Sequence, residues 1–171
     1  MNIIRATPAV ARAQSTWIVG IEPWRGLGYS AAPLGNYLGR MAKEREVWVA
    51  RGEGRAGAPL GLVVVQDGFL LGAFVSLLAV RPEAAGQGVG GALMDHVAAG
   101  VFKSRAWLFV SCDAANKRAL SFYRKLGFAR VGRLPEVDPS RHHREFGIGY
   151  PRPPVLKRTV HRGPSLRNLV Q

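Results

Sequence analysis

Glycines are concentrated in one short segment whose residue types and spacing suit the binding of phosphate groups. The segment consists of Gly86, Gln87, Gly88, Val89, Gly90 and Gly91. It follows an apolar stretch and leads into residues whose apolar side chains recur every four positions, as in a helix. Glycine adopts positive φ and exposes backbone N–H groups, and the first turn of a helix carries partial positive charge. The segment therefore predicts a cradle for a pyrophosphate; a turn that only packs a helix on a sheet is the structural alternative.

The same segment also satisfies the dinucleotide-binding pattern G-x-G-x-x-G through Gly86, Gly88 and Gly91. Asp113 follows the next predicted strand at about the right distance for a ribose contact. Against this alternative, five residues separate Val80, the end of the preceding strand, from the first glycine, and three predicted antiparallel strands come first. The P-loop of nucleotide hydrolases is excluded because no Lys-Ser/Thr pair follows the glycines.

The elements around the glycines predict an α+β fold. A strand over residues 1–6 is followed by a helix from Pro8 to about Gly20 and by a second helix capped by Ser30. Three extended segments, over 46–50, 60–66 and 69–80, then form an antiparallel meander. Asp67 and Gly68 predict the hairpin turn between the second and third of them. Later segments predict a helix that opens in the glycines and runs to about residue 102, a strand over 106–111 and a helix over 116–126 that is ended by Gly127. Two further strands are predicted over 128–134 and 144–150. We thus expect a mixed central sheet, a β-meander followed by β-α-β-α-β, flanked by helices.

Length and charge set the domain organisation. The chain has 171 residues, of which 47% are apolar, which fits one domain over 1–150 and a basic, proline-containing irregular tail over 151–171. Residues 1–140 carry 17 basic and 10 acidic side chains, and 141–171 carry 7 and 1. This excess suits nucleic acid, an acidic membrane surface or a cofactor rich in phosphate.

Cysteine and histidine usage argues against disulfides and metal. A lone cysteine, Cys112, excludes an internal disulfide and favours a reducing cytoplasm. His142 and His143 stand between arginines, without the carboxylates or thiols that complete a metal shell. No apolar run reaches the roughly 18 residues of a membrane span. We expect a cytoplasmic protein with no metal and no membrane partner.

Two motifs in the chain together resemble the GNAT superfamily of acyl-CoA N-acyltransferases. LLAVRPEAAGQGVGGALM resembles that family's strand, pyrophosphate loop and helix, and NKRALSFYRKLGF, about 25 residues further on, resembles its later helix with a tyrosine and a Gly-Phe pair. The resemblance covers roughly residues 3–134. It implies an N-acetyltransferase that transfers the acetyl (acyl) group of acetyl-CoA to a primary amine, on a small molecule or peptide, by direct attack in a ternary complex.

The resemblance also implies roles for individual residues. The backbone of Leu78, Ala79 and Val80 pairs with the pantetheine arm of coenzyme A, and the N–H groups of residues 86–91 hold the pyrophosphate. Asn116 contacts the cofactor arm, and Tyr123 faces the departing thiolate. Helical spacing by itself would instead make Tyr123 a core aromatic.

The chain departs from the family pattern in its loop and in its acidic residues. Ala85 stands where the family has Arg or Gln, so we expect weaker cofactor binding, with Arg81 and Gln87 as substitutes. The segment 69–80 carries no Asp or Glu, so we place the proton acceptor at Glu22, ahead of Ser111 and Asp113. Trp24 and Tyr29 share the loop of Glu22, and we predict that they bind the acceptor. A solvated loop carboxylate is the alternative for Glu22.

Non-catalytic functions remain as alternatives to the transferase. One is a module that binds acyl-CoA without turnover, and another is a basic module that binds nucleic acid; a dinucleotide-binding domain ranks below both. Asn116 and Tyr123 favour catalysis, whereas Ala85 and the missing acid favour binding. We do not expect nucleic acid, because the remaining tryptophans fit core faces rather than a stacking surface. A homodimer is compatible with the sequence.

Overall fold

A computed structural model of the chain describes residues 1–44, 46–53, 57–69, 72–134 and 146–151 and contains a seven-stranded sheet. Its strands are β1 (Asn2–Arg5), β2 (Val47–Arg51), β3 (Pro59–Phe69), β4 (Gly72–Val80), β5 (Trp107–Asp113), β6 (Phe128–Leu134) and β7 (Phe146–Pro151). Its helices are α1 (Pro8–Ala13), α2 (Ser15–Ile18), α3 (Ala31–Lys43), α4 (Val89–Val101) and α5 (Lys117–Lys125). The spatial order of the strands is β1-β2-β3-β4-β5-β7-β6.

The sheet is mixed, as the sequence predicts. Strands β1 to β4 pair antiparallel in chain order, β4 pairs parallel with β5, and β7 lies between β5 and β6, antiparallel to both. The predicted meander followed by β-α-β-α-β is confirmed. The dinucleotide-binding alternative is wrong, because that fold requires an extended parallel sheet and, among the described strands, one pair is parallel.

Apolar residues on both faces of the sheet are buried, which explains the continuous apolar run of β3. Leu62 and Val64 belong to the core beneath α1, α2 and α3, whereas Val63 and Val65 belong to the core beneath α4. A strand covered on both faces needs no polar alternation. The stripe of α4 predicted by its spacing is buried at Val89, Leu93 and Val97.

The helix predicted from Pro8 to Gly20 is divided in the structure. Pro8 begins α1 as expected, but the helix ends at Ala13, and Gln14 separates it from α2. The Gln14 side chain donates to the carbonyl of Val10 at 2.7 Å, and the Ser15 hydroxyl donates to the carbonyl of Arg12 at 2.9 Å. Such side-chain bonds to helix carbonyls bend or interrupt a helix. Ser30 lies at the N-cap of α3 but makes no side-chain capping bond.

The hairpin predicted at Asp67 and Gly68 is misplaced. Strand β3 continues through both residues to Phe69, which pairs with Gly72. Gly68 uses its positive φ of 79° at an irregularity in the register rather than in a two-residue turn. The Asp-Gly pair therefore correctly predicts a glycine with positive φ, but it does not predict where the strand ends.

Several sequence predictions lie outside the described residues. They include the tail from residue 152 onward, the pair His142 and His143, and the first two residues of the predicted strand 144–150; β7 covers the remainder and extends to Pro151. Within the described ranges, no helix is both long and apolar enough to cross a bilayer.

Candidate active site

Strands β4 and β5 pair over only half of their length, and their divergence opens a cleft. The parallel pairing runs from Gly72 and Trp107 to Val75 and Val110. Beyond that point β4 continues to pair with β3 on its other side, and β5 pairs with β7. The register shifts at Ser76, because Val75 pairs with Val65 whereas Leu77 pairs with Val64. Residues 76–80 of β4 therefore present a strand edge toward the cleft.

A cavity of about 840 Å³ occupies this cleft, a volume within the range of ligand sites. It brings together twelve of the residues that the sequence singles out: Glu22, Trp24, Leu78, Ala79, Val80, Gly86, Gly88, Val89, Gly90, Gly91, Asn116 and Tyr123. Segments from four parts of the chain meet there: the loop after α2, the end of β4, the start of α4 and one side of α5 with its N-cap. Tyr29, Arg81 and Gln87 do not line this cavity.

The glycine segment has the backbone of an anion cradle. Gly86 and Gly88 both have φ of 80°, and Gly88 is the N-cap of α4 without a side-chain capping bond. The N–H groups of a helix's first turn have no intrahelical partner, and the helix dipole adds positive potential there. This end of the cavity is therefore suited to the phosphates of a ligand.

Gly91 combines open space at its Cβ position with a place in the wall of the cavity. A Cβ built at Gly91 would meet no other protein atom within 4 Å, so packing does not require glycine here. Glycine inside a helix costs about 0.5–1 kcal/mol relative to alanine. Because Gly91 lines the cavity, the open space fits the close approach of a bound molecule.

The side chains of Arg81 and Gln87 are engaged elsewhere. Arg81 donates from Nε to the carbonyl of Pro59 at 2.8 Å, and its guanidinium carbon lies 5.0 Å from the ring centroid of Trp17. Gln87 donates to the carbonyl of Glu83 at 2.8 Å. Ala85 does line the cavity. The geometry therefore gives no support to the idea that these two side chains replace the missing Arg or Gln.

Asn116 has a structural role as well as a position on the cavity. It is the N-cap of α5, and its Oδ1 accepts from the N–H of Ala119 at 3.0 Å. The capping bond uses one of the two lone pairs of the carbonyl oxygen, and the two amide hydrogens of the side chain are the donors that it offers to a ligand. Sequence reasoning did not anticipate the capping role.

Tyr123 is held in an aromatic cluster. Its ring packs edge-on against Phe122 at 5.3 Å and Phe128 at 5.6 Å between centroids. Burial, and to a lesser degree the nearby Cys112, raises the pKa of Tyr123 well above its usual value. Burial and then Asp113 also raise the pKa of the Cys112 thiol. Both groups therefore keep their protons at neutral pH.

Glu22 closes its own loop at the edge of the cavity. Its Oε1 lies 3.0 Å from Nε of Arg25, and its Oε2 accepts from the N–H of Gly26 at 3.1 Å. A Cβ at Gly26 would lie 2.7 Å from Oε2, so glycine permits this close approach. The side chain is 58% exposed, which leaves it in contact with solvent.

A second cavity of about 520 Å³ adjoins the first. Trp24 lines both cavities, and Tyr29 lines the second. The hydroxyls of Tyr37 and Ser76 lie 2.7 Å apart in its wall. The sequence assigns neither residue to the site, because 39 positions separate them and no local spacing pairs a helix residue with a strand irregularity.

Comparison with known proteins agrees with this arrangement. A family model described as "Acetyltransferase (GNAT) domain" matches residues 43–130, just over half of the chain. The fold is similar to a GNAT-family acetyltransferase from Bacillus cereus ATCC 10987, with 16% identity, a TM-score of 0.69, and coverage of 87% of this chain and 94% of that one. It is similar to a ribosomal-protein-alanine N-acetyltransferase from Brucella melitensis, with 19% identity, a TM-score of 0.68, and coverage of 88% and 98%.

A further solved structure has a higher identity over a shorter stretch. Nourseothricin acetyltransferase is 26% identical, with a TM-score of 0.55 and coverage of 61% of this chain and 63% of that one. The family match spans the end of α3, the meander, the glycine segment, α4 and α5, and so includes most of the wall of the larger cavity. On this match, the chain belongs to the GNAT family of acetyltransferases, which take acetyl-CoA as acyl donor and bind amine acceptors.

Proposed function

We propose that this protein transfers an acetyl group from acetyl-CoA to the primary amine of a small molecule or peptide, by direct attack in a ternary complex. The observation that carries the proposal is the single cavity that joins the glycine segment to Tyr123 and the Glu22 loop. Acetyl-CoA supplies a thioester: the nitrogen of the neutral amine bonds to its carbonyl carbon, and the C–S bond breaks with the electron pair on sulfur. The amine proton passes to Glu22 through water and then to solvent, and the thiolate takes up one proton from solvent.

The glycine segment and the β4 edge bind the donor. Backbone N–H groups at the start of α4 bind the pyrophosphate, and Gly91 leaves room for it. Leu78, Ala79 and Val80 offer the pantetheine arm the strand edge that β5 leaves unpaired. The amide hydrogens of Asn116 add a contact to the same arm.

Tyr123 stabilises the departing sulfur by a hydrogen bond. An ordinary thiol has a pKa of about 8.5, whereas burial holds the pKa of Tyr123 well above its usual value. Complete proton transfer from the phenol to a thiolate is therefore uphill. A hydrogen bond to the developing negative charge carries no such penalty.

Glu22 accepts the amine proton through water. Each of its oxygens already accepts one bond within the loop, and a carboxylate oxygen retains a second lone pair for solvent. Trp24 lines the same cavity as Glu22, Tyr29 lines the second cavity, and the two rings bind the body of the acceptor. The donor thus enters along α4, and the acceptor enters from the Trp24 side.

The test is incubation of the full chain with acetyl-CoA and a panel of primary amines, with detection of the free thiol and of the acetylated amine. We expect thiol release that depends on the amine and that falls in Tyr123→Phe. Acetyl-CoA binding in calorimetry without any turnover would instead support a non-catalytic acyl-CoA-binding module. Absence of binding at millimolar acetyl-CoA would overturn the proposal.

A further inference from the structure

The walls of the second cavity are mostly aromatic and aliphatic. Among the described residues, its lining includes the rings of Trp24, Tyr29 and Tyr37, together with Pro33, Leu34 and Leu77. None of the described lining residues carries a charged side chain. Aromatic rings offer large apolar surfaces and favour edge-on or offset contacts with another ring. The lining therefore favours a ligand with an apolar, aromatic group, and the volume of about 520 Å³ leaves ample room for one.

The hydroxyl pair fixes one wall of this cavity and its polar end. Tyr37 reaches from α3 to Ser76 of β4, where the register shifts and β4 leaves β5. The 2.7 Å contact holds the Tyr37 ring in place, and burial keeps its hydroxyl neutral by raising its pKa. A ligand therefore meets neutral hydrogen-bonding groups at the end of the cavity nearest the cleft.

Arg40 places a positive charge at the same ring. Its guanidinium carbon lies 5.9 Å from the ring centroid of Tyr37, within the range of a cation–π contact. One face of the Tyr37 ring therefore already has a cation beside it, although Arg40 does not itself line the cavity. A second positive charge on a ligand would also be repelled by the guanidinium.

From this lining we infer that the acceptor is a primary amine with an aromatic body and no second positive charge, its ring seated among Trp24, Tyr29 and Tyr37. The inference rests on the proposed acetyl transfer and specifies its acceptor. The amino group points toward the cleft, because Trp24 lines both cavities and marks where they meet. Polyamines and other multiply charged amines are poor acceptors in this arrangement.

The test compares 2-phenylethylamine with 1,5-diaminopentane, a primary amine that carries a second cation in place of the ring. Both are offered to the full chain with saturating acetyl-CoA, and the acetylated products are quantified. We expect kcat/KM to be at least about tenfold higher for 2-phenylethylamine. A preference for the diamine would overturn the inference while acetyl transfer itself stood.

Two variants test the residues that carry the argument. Tyr29 is 48% exposed and lines only the smaller of the two cavities, so Tyr29→Ala should fold, raise KM for 2-phenylethylamine by roughly tenfold and leave KM for acetyl-CoA unchanged. Arg40→Glu removes the positive charge beside Tyr37, so it should raise kcat/KM for the diamine and reduce the ratio of kcat/KM between 2-phenylethylamine and the diamine. Arg124→Glu makes the same change of charge on α5, whereas Arg40 lies over the Tyr37 ring, so the Arg124 variant should leave the preference for 2-phenylethylamine unchanged. If the ratio of kcat/KM for the two amines is the same in the wild type and in all three variants, the inference is overturned.

A binding measurement separates this inference from the proposed function. Calorimetric titration with 2-phenylethylamine in the presence of coenzyme A measures the affinity of the second cavity for this amine without requiring catalysis. Binding that Tyr29→Ala weakens, with no acetylation of either amine, would support the aromatic site and overturn the transferase. Acetylation without any such binding preference would support the transferase and overturn the aromatic site.

Discussion

Gly91 and Gly100 lie near opposite ends of the same helix, α4, and a Cβ at either would meet no other protein atom within 4 Å. They differ in what they face. Gly91 lines the larger cavity, whereas Gly100 is exposed and lines neither cavity. The two positions therefore offer the same local change with and without a neighbouring ligand site.

Gly91→Ala should stabilise the free protein and weaken acetyl-CoA binding. Alanine in a helix gains about 0.5–1 kcal/mol over glycine, but its methyl group occupies space that we assign to the cofactor. Thermal unfolding and calorimetric titration with acetyl-CoA measure the two effects. Gly100→Ala should give a similar gain in stability with unchanged affinity; equal affinities in the two variants would contradict the assignment of the cradle.

Ala85→Arg should strengthen acetyl-CoA binding. The residue lines the cavity at the end of the turn that precedes the glycines, and a guanidinium there adds a charged contact to the phosphates. We expect Kd to fall by about 3- to 10-fold, with a stronger dependence on salt. Ala85→Glu should have the opposite effect, and a tighter complex with glutamate would show that the phosphates lie elsewhere.

Asn116→Asp should separate the two roles of this residue. Aspartate retains an oxygen that can accept from Ala119 and cap α5, but it lacks the amide hydrogens that we assign to the cofactor arm. Stability should be nearly unchanged while the KM for acetyl-CoA rises. Asn116→Ala should lose about 1 kcal/mol of stability as well. If aspartate supports wild-type KM, Asn116 acts only as a cap.

Tyr123→Phe should change how stability depends on alkaline pH. The pKa of Tyr123 is raised in the folded state from a reference of 10.0, so above about pH 10 the unfolded chain releases a proton that the folded chain keeps. The free energy of unfolding of the wild type should then fall by up to about 1.4 kcal/mol per pH unit from this residue. Below about pH 10 Tyr123 is protonated in both states, so it does not change how the free energy of unfolding depends on pH. Chemical denaturation at several pH values should show a shallower decline in the variant.

Glu22→Gln should slow the reaction without abolishing cofactor binding. Loss of a proton acceptor should lower kcat/KM by about 100-fold or more and alter the acidic limb of the pH–rate profile. Arg25→Gln is the matched control, because it removes the ion pair of 3.0 Å but leaves the carboxylate. If both variants lose the same activity, Glu22 acts by shaping the loop.

Local sequence signals predicted the parts of the fold that depend on neighbouring residues. Periodicity identified α3, α4 and α5, extended apolar segments identified the strands of the meander, and the glycines marked the turn into α4. These signals work because backbone preference and side-chain direction are set within a few residues. Their limits showed at Gln14 and Gly68, where side-chain bonds and a register irregularity moved the ends of a helix and of a strand.

The sequence by itself thus determined the mixed sheet, the glycine turn into α4 at residues 86–91 and the family of the chain. Tertiary structure decided where the long side chains go: Arg81 lies over Trp17 rather than in the cavity, and Glu22 is bound by its own loop. It also brought Tyr37 to Ser76 at the point where β4 and β5 diverge. Contacts between residues far apart in the chain depend on how packed elements approach one another, which local spacing does not encode.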